Sequence, residues 1–249
     1  DYVNYQEIIA AKWEYIKAVY PAEGEKVFAS ADYKKWFETN ESWLKPYAAF
    51  CYLRDLNHTP EFAKWGEYAV YDEKAIAKLC DKKSKAYNDI AIHYFVQYHL
   101  HKQLSEVRDY AHQSGVALKG DIPIGINPNS ADAWQAPELF DLSLQAGAPP
   151  DDFSISGQNW GFPPYNWDIM ARDNFDWWRR RFVKMADYFD AYRIDHILGF
   201  FRIWVMPQQA VWGLTGCFLP ALPYSLDDLR QRGIWLDEKR MLAPYIHQW

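Results

Sequence analysis

The chain has 249 residues, 49% of them hydrophobic, which is enough for a substantial core in one or two domains. Its net charge of -6 is mild and it carries no long basic run, which argues against a nucleic-acid partner or an anionic membrane surface. No apolar run is long enough to span a bilayer and no signal-peptide pattern is present.

The first part reads as helical. Tyr5, Ile8, Ile9, Trp13, Ile16 and Tyr20 recur at helical spacing, and Pro21 is expected to end that helix. Asp32 is read as the cap of a short helix through Phe37, and Ser42 to Phe50 as another, limited by Pro46 to a start near that residue. Thr59 followed by Pro60 looks like a cap with proline at the first helical position, and Asp72 caps a helix through Leu79. Asn88 to Ser114 reads as a long helix with Ile92, Phe95, Leu104 and Val107 on one side, closed by Gly115.

The pattern then changes. Val116-Ala117-Leu118 reads as a short buried parallel strand with Asp121 at its C-terminal edge. A loop rich in Pro, Gly, Asn and Ser follows from about 125 to 168. A loop of that length inside a compact domain points to function or disorder, and Trp134, Phe153, Trp160 and Tyr165 argue against disorder. Asp173 or Asn174 caps an amphipathic helix with Phe175, Trp178, Phe182, Met185 and Phe189 on one stripe, and Arg179, Arg180 and Lys184 off it. Ala191 to Ile194 is the next strand, which makes a parallel βαβ unit. Phe201 to Val205 is expected to be extended, and Ser225 to cap a helix.

Two carboxylates therefore stand at the ends of consecutive parallel strands, Asp121 and Asp195. Side chains alternate along a strand, so Arg193 and Asp195 share a face, and a guanidinium there favours the ionised carboxylate. An ionised carboxylate at a strand end suits the nucleophile of a retaining glycosidase. The alternatives are a turn role for Asp121 beside Gly120 and a structural ion pair between Asp195 and Arg193. His196 suits a sugar hydroxyl or a backbone partner, and Arg202 is expected to hold a carboxylate. Phe153 and Trp160 are read either as stacking platforms or as cover for the core. The chain is rich in aromatics, with 13 Trp, 18 Tyr and 14 Phe. Content alone favours an aromatic core over carbohydrate binding. Cys51, Cys80 and Cys217 form neither a disulfide framework nor a zinc pattern, so the expected setting is reducing and cytoplasmic, with no metal and no cofactor.

These motifs carry a resemblance. Gly120-Asp121-Ile122-Pro123-Ile124, Ser130-Ala131-Asp132-Ala133-Trp134 and Pro137-Glu138-Leu139-Phe140 match one region of it. The run Ala146 to Ser154 and Gly157-Gln158-Asn159-Trp160-Gly161 match a substrate loop, and Arg193-Ile194-Asp195-His196 a nucleophile strand. Together they resemble the 4-α-glucanotransferase family, the amylomaltases or disproportionating enzymes of the α-amylase clan, most strongly over about residues 90–210.

The resemblance implies an α/β fold, a partial (β/α)8 TIM barrel of about strands three and four. Residues 1–90 would form a helical insertion subdomain, 91–210 the barrel part with its substrate loop 125–168, and 211–249 the start of a subgroup-specific insertion. Two barrel strands cannot close a barrel, and an unpaired edge leaves self-association open. The implied chemistry is a retaining double displacement with Asp195 as nucleophile and Arg193 orienting and ionising it. Asp121, His196, Trp160, Phe153, Asn159 and Asp152 would bind substrate. Asp152 stands where simpler members carry an aromatic, and Gly125, Pro128 and Asn129 read like the plant cytosolic, maltose-using subgroup. The implied partners are maltose, malto-oligosaccharides or a soluble α-glucan.

The family's acid/base glutamate lies in a Glu-Asp-Leu-Gly-type motif. Glu138 and Glu238 do not match it, and without a general acid the leaving oxygen is expelled too slowly. The sequence thus reads as a piece of a larger enzyme, from Asp1 to Trp249, inactive alone. The competing readings are a hydrolase of the same clan, a non-catalytic glucan-binding piece, and a plain structural domain.

Overall fold

The computed structural model describes residues 2–221, 224–235 and 237. Glu238 and most of the segment from Leu236 to Ile246 lie outside the described residues, as does the stretch 222–223 of the expected insertion.

The N-terminal part is built from α1 (Tyr5–Ala29), α2 (Ala31–Leu56), α3 (Glu73–Leu79) and α4 (Tyr87–Gln113). Pro21 does not end a helix and Pro46 does not start one, contrary to expectation; both sit inside one. A proline removes one intrahelical hydrogen bond and crowds the preceding turn, but packing supplies most helical stability in a folded protein. Here Leu44, Ala48, Ala49 and Leu53 of α2 share a buried core with Ile90, Ala91 and Tyr94 of α4. The break between α1 and α2 falls instead at Ser30, whose hydroxyl donates to the Val27 carbonyl and accepts from Tyr33 N at 3.2 Å. Asp32 is therefore not a cap; it lies in the first turn of α2, where its negative charge suits the helix N-terminus.

The expected helix after Thr59 is reduced to two short 3-10 turns, Phe62–Lys64 and Gly66–Tyr68. Gly66, at φ +59°, interrupts the run, and Trp65 Nε1 donates to the Thr59 carbonyl at 2.9 Å. Asp72 caps α3 by accepting from Ala75 N at 2.7 Å, as read from the sequence. The long helix α4 also matches, but its buried side carries Ile90, Ala91, Tyr94, Phe95 and Tyr98, whereas Leu104 and Val107 are exposed. The helix outruns the core that it packs on.

The remainder mixes strands and helices: β1 (Lys119–Ile122), α5 (Ala131–Gln135), β2 (Leu144–Ala148), β3 (Gln158–Asn159), α6 (Trp167–Ala171), α7 (Asp176–Ala186), β4 (Ala191–Ile194), β5 (Ile203–Pro207), β6 (Cys217–Leu219) and α8 (Leu226–Gln231). β1 and β4 pair in parallel, with Asp121 opposite Arg193 and Ile122 opposite Ile194. The other sheet is antiparallel, in the order β3-β2-β5-β6.

Three expectations change here. The first strand starts at Lys119 rather than Val116, so Asp121 lies within it, because its extent is set by pairing with Ala191–Ile194 and not by the apolar run before it. The stretch 125–168 is not one structureless loop; it holds α5, β2, β3 and the start of α6. The extended run after Phe201 begins at Ile203 and belongs to the antiparallel sheet.

A second core, around Ile122, Ile124, Phe140, Tyr165, Trp177, Trp178 and Ile203, lies under both sheets. Trp134 joins the two parts. It is 1% exposed, sits on α5, and packs in the helical core against Phe50, Trp65 and Tyr71, with its Nε1 donating to the Tyr68 carbonyl at 2.9 Å. At the other end of α4, His112 Nε2 lies 3.0 Å from the Asp190 carboxylate, which also accepts from Leu118 N at 2.9 Å. Those hydrogen bonds hold the Asp190 carboxyl below the usual carboxylate range.

Candidate active site

β1 alternates strictly: Gly120 and Ile122 are buried, Lys119 and Asp121 exposed. Gly120 faces the last turn of α7 and the residues just after it so closely that a Cβ there would stand 2.8 Å from Met185 and 2.7 Å from the Phe189 ring. The helix thus claims one face of the strand pair and leaves Asp121 on the other. Arg193, opposite Asp121, shares that face. Its Nε is 3.4 Å from Asp121 Oδ1 and its terminal nitrogen 3.3 Å from Asp195 Oδ1. One guanidinium therefore spans two carboxylates on adjacent parallel strands. All three groups are open to solvent, the Asp195 side chain being 44% exposed, so each pair contributes no more than about 1 kcal/mol to stability.

The backbone turns sharply after Asp195. Asp195 N donates to the Ile122 carbonyl at 3.1 Å, extending the strand pairing, and His196 then adopts a left-handed conformation at φ 44°. This turn swings the imidazole toward the strap carrying β3. The His196 ring meets the Trp160 ring edge-on, with centroids 4.8 Å apart. Trp160 in turn stacks on Phe162 and donates from Nε1 to Gln158 Oε1 at 2.9 Å. Gly125 has no side chain where the Phe162 ring lies, so the ring closes over the residues that follow β1.

Asp121, Arg193, Asp195, His196 and Trp160 are thus brought to one end of the strand pair. Asn159 lies beside Trp160, but its amide is engaged: Nδ2 donates to the Ala210 carbonyl at 2.7 Å and Oδ1 accepts from Gly161 N at 2.8 Å. Phe153 and Asp152 are elsewhere, on the turn joining β2 to β3, where Phe153 is 96% exposed. Asp151 Oδ1 shapes that turn by accepting from the amides of Phe153 and Ser154. Among the described residues Arg202 pairs with no carboxylate, contrary to expectation; its guanidinium stands 4.4 Å over the Phe218 ring, because β6 brings an aromatic face beside it. Glu138 lies on a 3-10 turn, its carbonyl accepting from the Asn166 side chain. Among the described residues no group of three or more His, Cys, Asp or Glu side chains is placed to hold a metal ion.

Several supporting residues escaped the sequence reading. Arg181 lies 4.6 Å over both Trp177 and Trp178 and reaches toward the Pro123 carbonyl at 3.5 Å, while the Tyr165 hydroxyl donates to the Ile124 carbonyl. Together they hold the segment that leaves β1. Gly199 leaves room for His196: a Cβ there would stand 2.8 Å from the imidazole. The available signal was the run Trp177-Trp178-Arg179-Arg180-Arg181 of α7, in which Arg181 falls within helical reach of both rings.

This arrangement can present an anionic oxygen, oriented by a cation, beside an aromatic wall. The model of glycoside hydrolase family 77, 4-alpha-glucanotransferase, matches residues 1–241. The chain is 47% identical over 246 residues to the 4-alpha-glucanotransferase DPE2 of Oryza sativa subsp. japonica, covering 99% of this chain and 26% of the rice protein. It is 33% identical over 230 residues to the 4-alpha-glucanotransferase of Thermus thermophilus, covering 88% of this chain and 45% of that protein. Among solved structures, an amylomaltase from Streptococcus agalactiae in complex with acarbose superposes with a TM-score of 0.77 at 30% identity, over 88% of this chain and 45% of that one. The chain spans about a quarter to just under half of the length of these relatives. With a family model matched along nearly its whole length, the chain belongs to the 4-alpha-glucanotransferase family.

Proposed function

We propose that this chain is the nucleophile-bearing part of a retaining 4-α-glucanotransferase. β1 and β4 are neighbouring strands of a (β/α)8 barrel that the rest of the enzyme completes, residues 1–90 are a helical insertion, and 211–249 begin a further one. The observation that carries the reading is the single guanidinium of Arg193 between Asp121, within β1, and Asp195, just past the end of the adjacent parallel strand β4.

In this reading Asp195 attacks the anomeric carbon of an α-1,4-glucan. The glycosidic bond to the leaving 4-oxygen breaks, and a covalent β-glucosyl ester forms. A glutamic acid outside this chain protonates the leaving oxygen, then takes the proton from the 4-hydroxyl of an incoming sugar as that oxygen displaces Asp195. Arg193 fixes the carboxylate for attack, Asp121 and His196 bond glucose hydroxyls, and the Trp160 ring walls the reacting sugar. Transfer prevails over hydrolysis only where water is excluded, and the half-open Asp195 carboxylate here supports a requirement for the remaining barrel. Maltose, malto-oligosaccharides or a soluble α-glucan are the substrates by family likeness. In this reading Phe153 lines the donor or acceptor path, and Asp152 beside it on the β2–β3 turn binds substrate. The free thiols Cys51, Cys80 and Cys217 support a reducing, cytoplasmic setting. The open outer edges of the β1–β4 pair support self-association of the isolated chain.

Incubation with maltotriose tests the proposal. The full-length protein is expected to yield glucose and longer oligosaccharides, and Asp195→Asn to abolish both. The 249-residue chain alone is expected to yield neither. Release of glucose without longer products would make the protein a hydrolase instead.

A further inference from the structure

The strand that leads to Asp195 does not fix its own register. β4 is four residues long, with Ala191, Arg193 and Ile194 exposed and Tyr192 half-buried. Burial of one face is what specifies a strand's register, and β4 has no buried residue to do so. Yet the geometry at Asp195 depends on that register, which sets Asp121 opposite Arg193.

The fixing point lies one residue before the paired strands, whose first partners are Lys119 and Ala191. Asp190 N donates to the Leu118 carbonyl at 2.9 Å, and Leu118 N donates back to Asp190 Oδ2 at 2.9 Å. These two bonds close a ring between Leu118 and Asp190. A slip of one residue along β4 would bring Phe189 or Ala191 to Leu118, and neither side chain carries an acceptor. The ring also selects a side-chain length: an Asp or Asn oxygen closes it, whereas a Glu oxygen sits one methylene further out.

Helix α4 holds Asp190 in turn. His112 Nε2 lies 3.0 Å from both carboxylate oxygens. Arg108 and His101 follow back along the same helix face; Arg108 donates to the Asp187 carbonyl, and His101 Nδ1 is 2.9 Å from the Tyr188 hydroxyl. The helix thus grips the turn 187–190 at three points, and one carboxylate joins α4, β1 and β4. The His112 and Asp190 side chains are 45% and 38% exposed, so the pair adds little to stability and its effect is geometric. Asp190 and Asp195 are about 16 Å apart along the strand, so Asp190 acts through the backbone and not on the sugar.

We propose that Asp190, held by His112, is a positioning residue that locks β4 in register against β1 and so aims Asp195 at the reacting carbon. The proposal rests on the reading of Asp195 as nucleophile. It is tested by maltotriose disproportionation in the full-length protein, with rates taken per folded molecule. Asp190→Ala is expected to lower kcat about a hundredfold and to leave KM within about threefold. Asp190→Asn, which keeps the acceptor for Leu118 N, is expected to restore kcat to within about fivefold of the parent, and Asp190→Glu, which keeps the charge, to do no better than Asp190→Ala. Combined with Arg193→Lys, which already spoils the aim, Asp190→Ala is expected to cost no more than about threefold further, whereas independent effects would multiply. If Asp190→Ala does not fold, His112→Ala is read in its place: a fall in kcat of about tenfold is expected, restored by His112→Gln, whose amide donates from the same place. A parent-like kcat in the folded Ala variant, rescue by Asp190→Glu as good as by Asp190→Asn, or a multiplicative loss with Arg193→Lys overturns the lock and leaves the Asp195 reading standing. Disproportionation that survives Asp195→Asn overturns the nucleophile reading itself and this inference with it.

Discussion

Arg193 Nε stands 3.4 Å from Asp121 Oδ1, directly across the parallel strand pair, and the same guanidinium reaches Asp195 two residues further on. The register of β1 against β4 thus sets the aim of the proposed nucleophile: a slip of one residue would turn Asp121 onto the α7 face, where Gly120 has no room for a side chain. Arg193→Lys keeps a charge but loses the fork that touches both carboxylates. In the full-length enzyme this substitution is expected to lower kcat for maltotriose disproportionation by about a hundredfold, the scale of a misplaced reacting group, while the melting temperature stays within a few degrees because both pairs are exposed. An equal fall in kcat and in stability would make Arg193 a structural residue.

Gly199 guards the position of His196. An added methyl would lie 2.8 Å from the imidazole and 3.1 Å from Ile124 Cδ1, one on the site side and one in the core. Gly199→Ala is expected to destabilise by about 1–3 kcal/mol through overpacking and to move the His196 ring off the edge of Trp160. Chemical denaturation measures the first effect, and a change in tryptophan emission between variant and parent measures the second.

The helical order along the chain was legible wherever local chemistry decides it. Asp72 before α3, Gly115 after α4 and Ser225 before α8 are each a cap that acts within a few residues. The βαβ unit was legible too, since the α7 stripe and the Ala191–Ile194 run are both local. What was not legible depends on partners distant in sequence. Pro46 lies within α2 because α4 packs along it, and β1 begins at Lys119 because β4 defines the paired length. The antiparallel sheet joins Gly147 to Trp204 and Asn159, pairings that no spacing announces. At the site, Asp195 and Arg193 could be read from strand alternation. The meeting of His196 with Trp160 could not, since it depends on a left-handed turn and on how the 125–168 segment folds back.

Trp134 is the mechanical link between the helical part and the segment that carries Trp160. It is fully buried, meets Trp65 and Tyr71 edge-on, and donates to the Tyr68 carbonyl. Trp134→Ala is expected to cost about 3–5 kcal/mol, as for other large-to-small changes at buried aromatics. Limited proteolysis is expected to detect new cleavage within 125–168 before the helical part is cut, since the linkage fails there first.

His93 makes the stability of the helical part sensitive to acid. Burial lowers its pKa from 6.5 to about 4, with Arg54 and Lys17 acting in the same direction and Asp55 against it. The unfolded chain therefore binds a proton on His93 at a higher pH than the folded one does. Above about pH 6.5 neither state is protonated there and nothing is lost. As pH falls from 6.5 toward 4 stability drops, and below about 4 the loss levels off, because the folded imidazole then charges as well. The total is on the order of 3 kcal/mol. His93→Phe keeps a ring against Trp13 without the titrating nitrogen. The difference in unfolding free energy between His93→Phe and the parent is expected to move in favour of the variant between pH 6.5 and 4, and to stay constant between pH 7 and 8. A difference that does not vary with pH would mean that the imidazole is as easily protonated in the folded protein as in the unfolded chain.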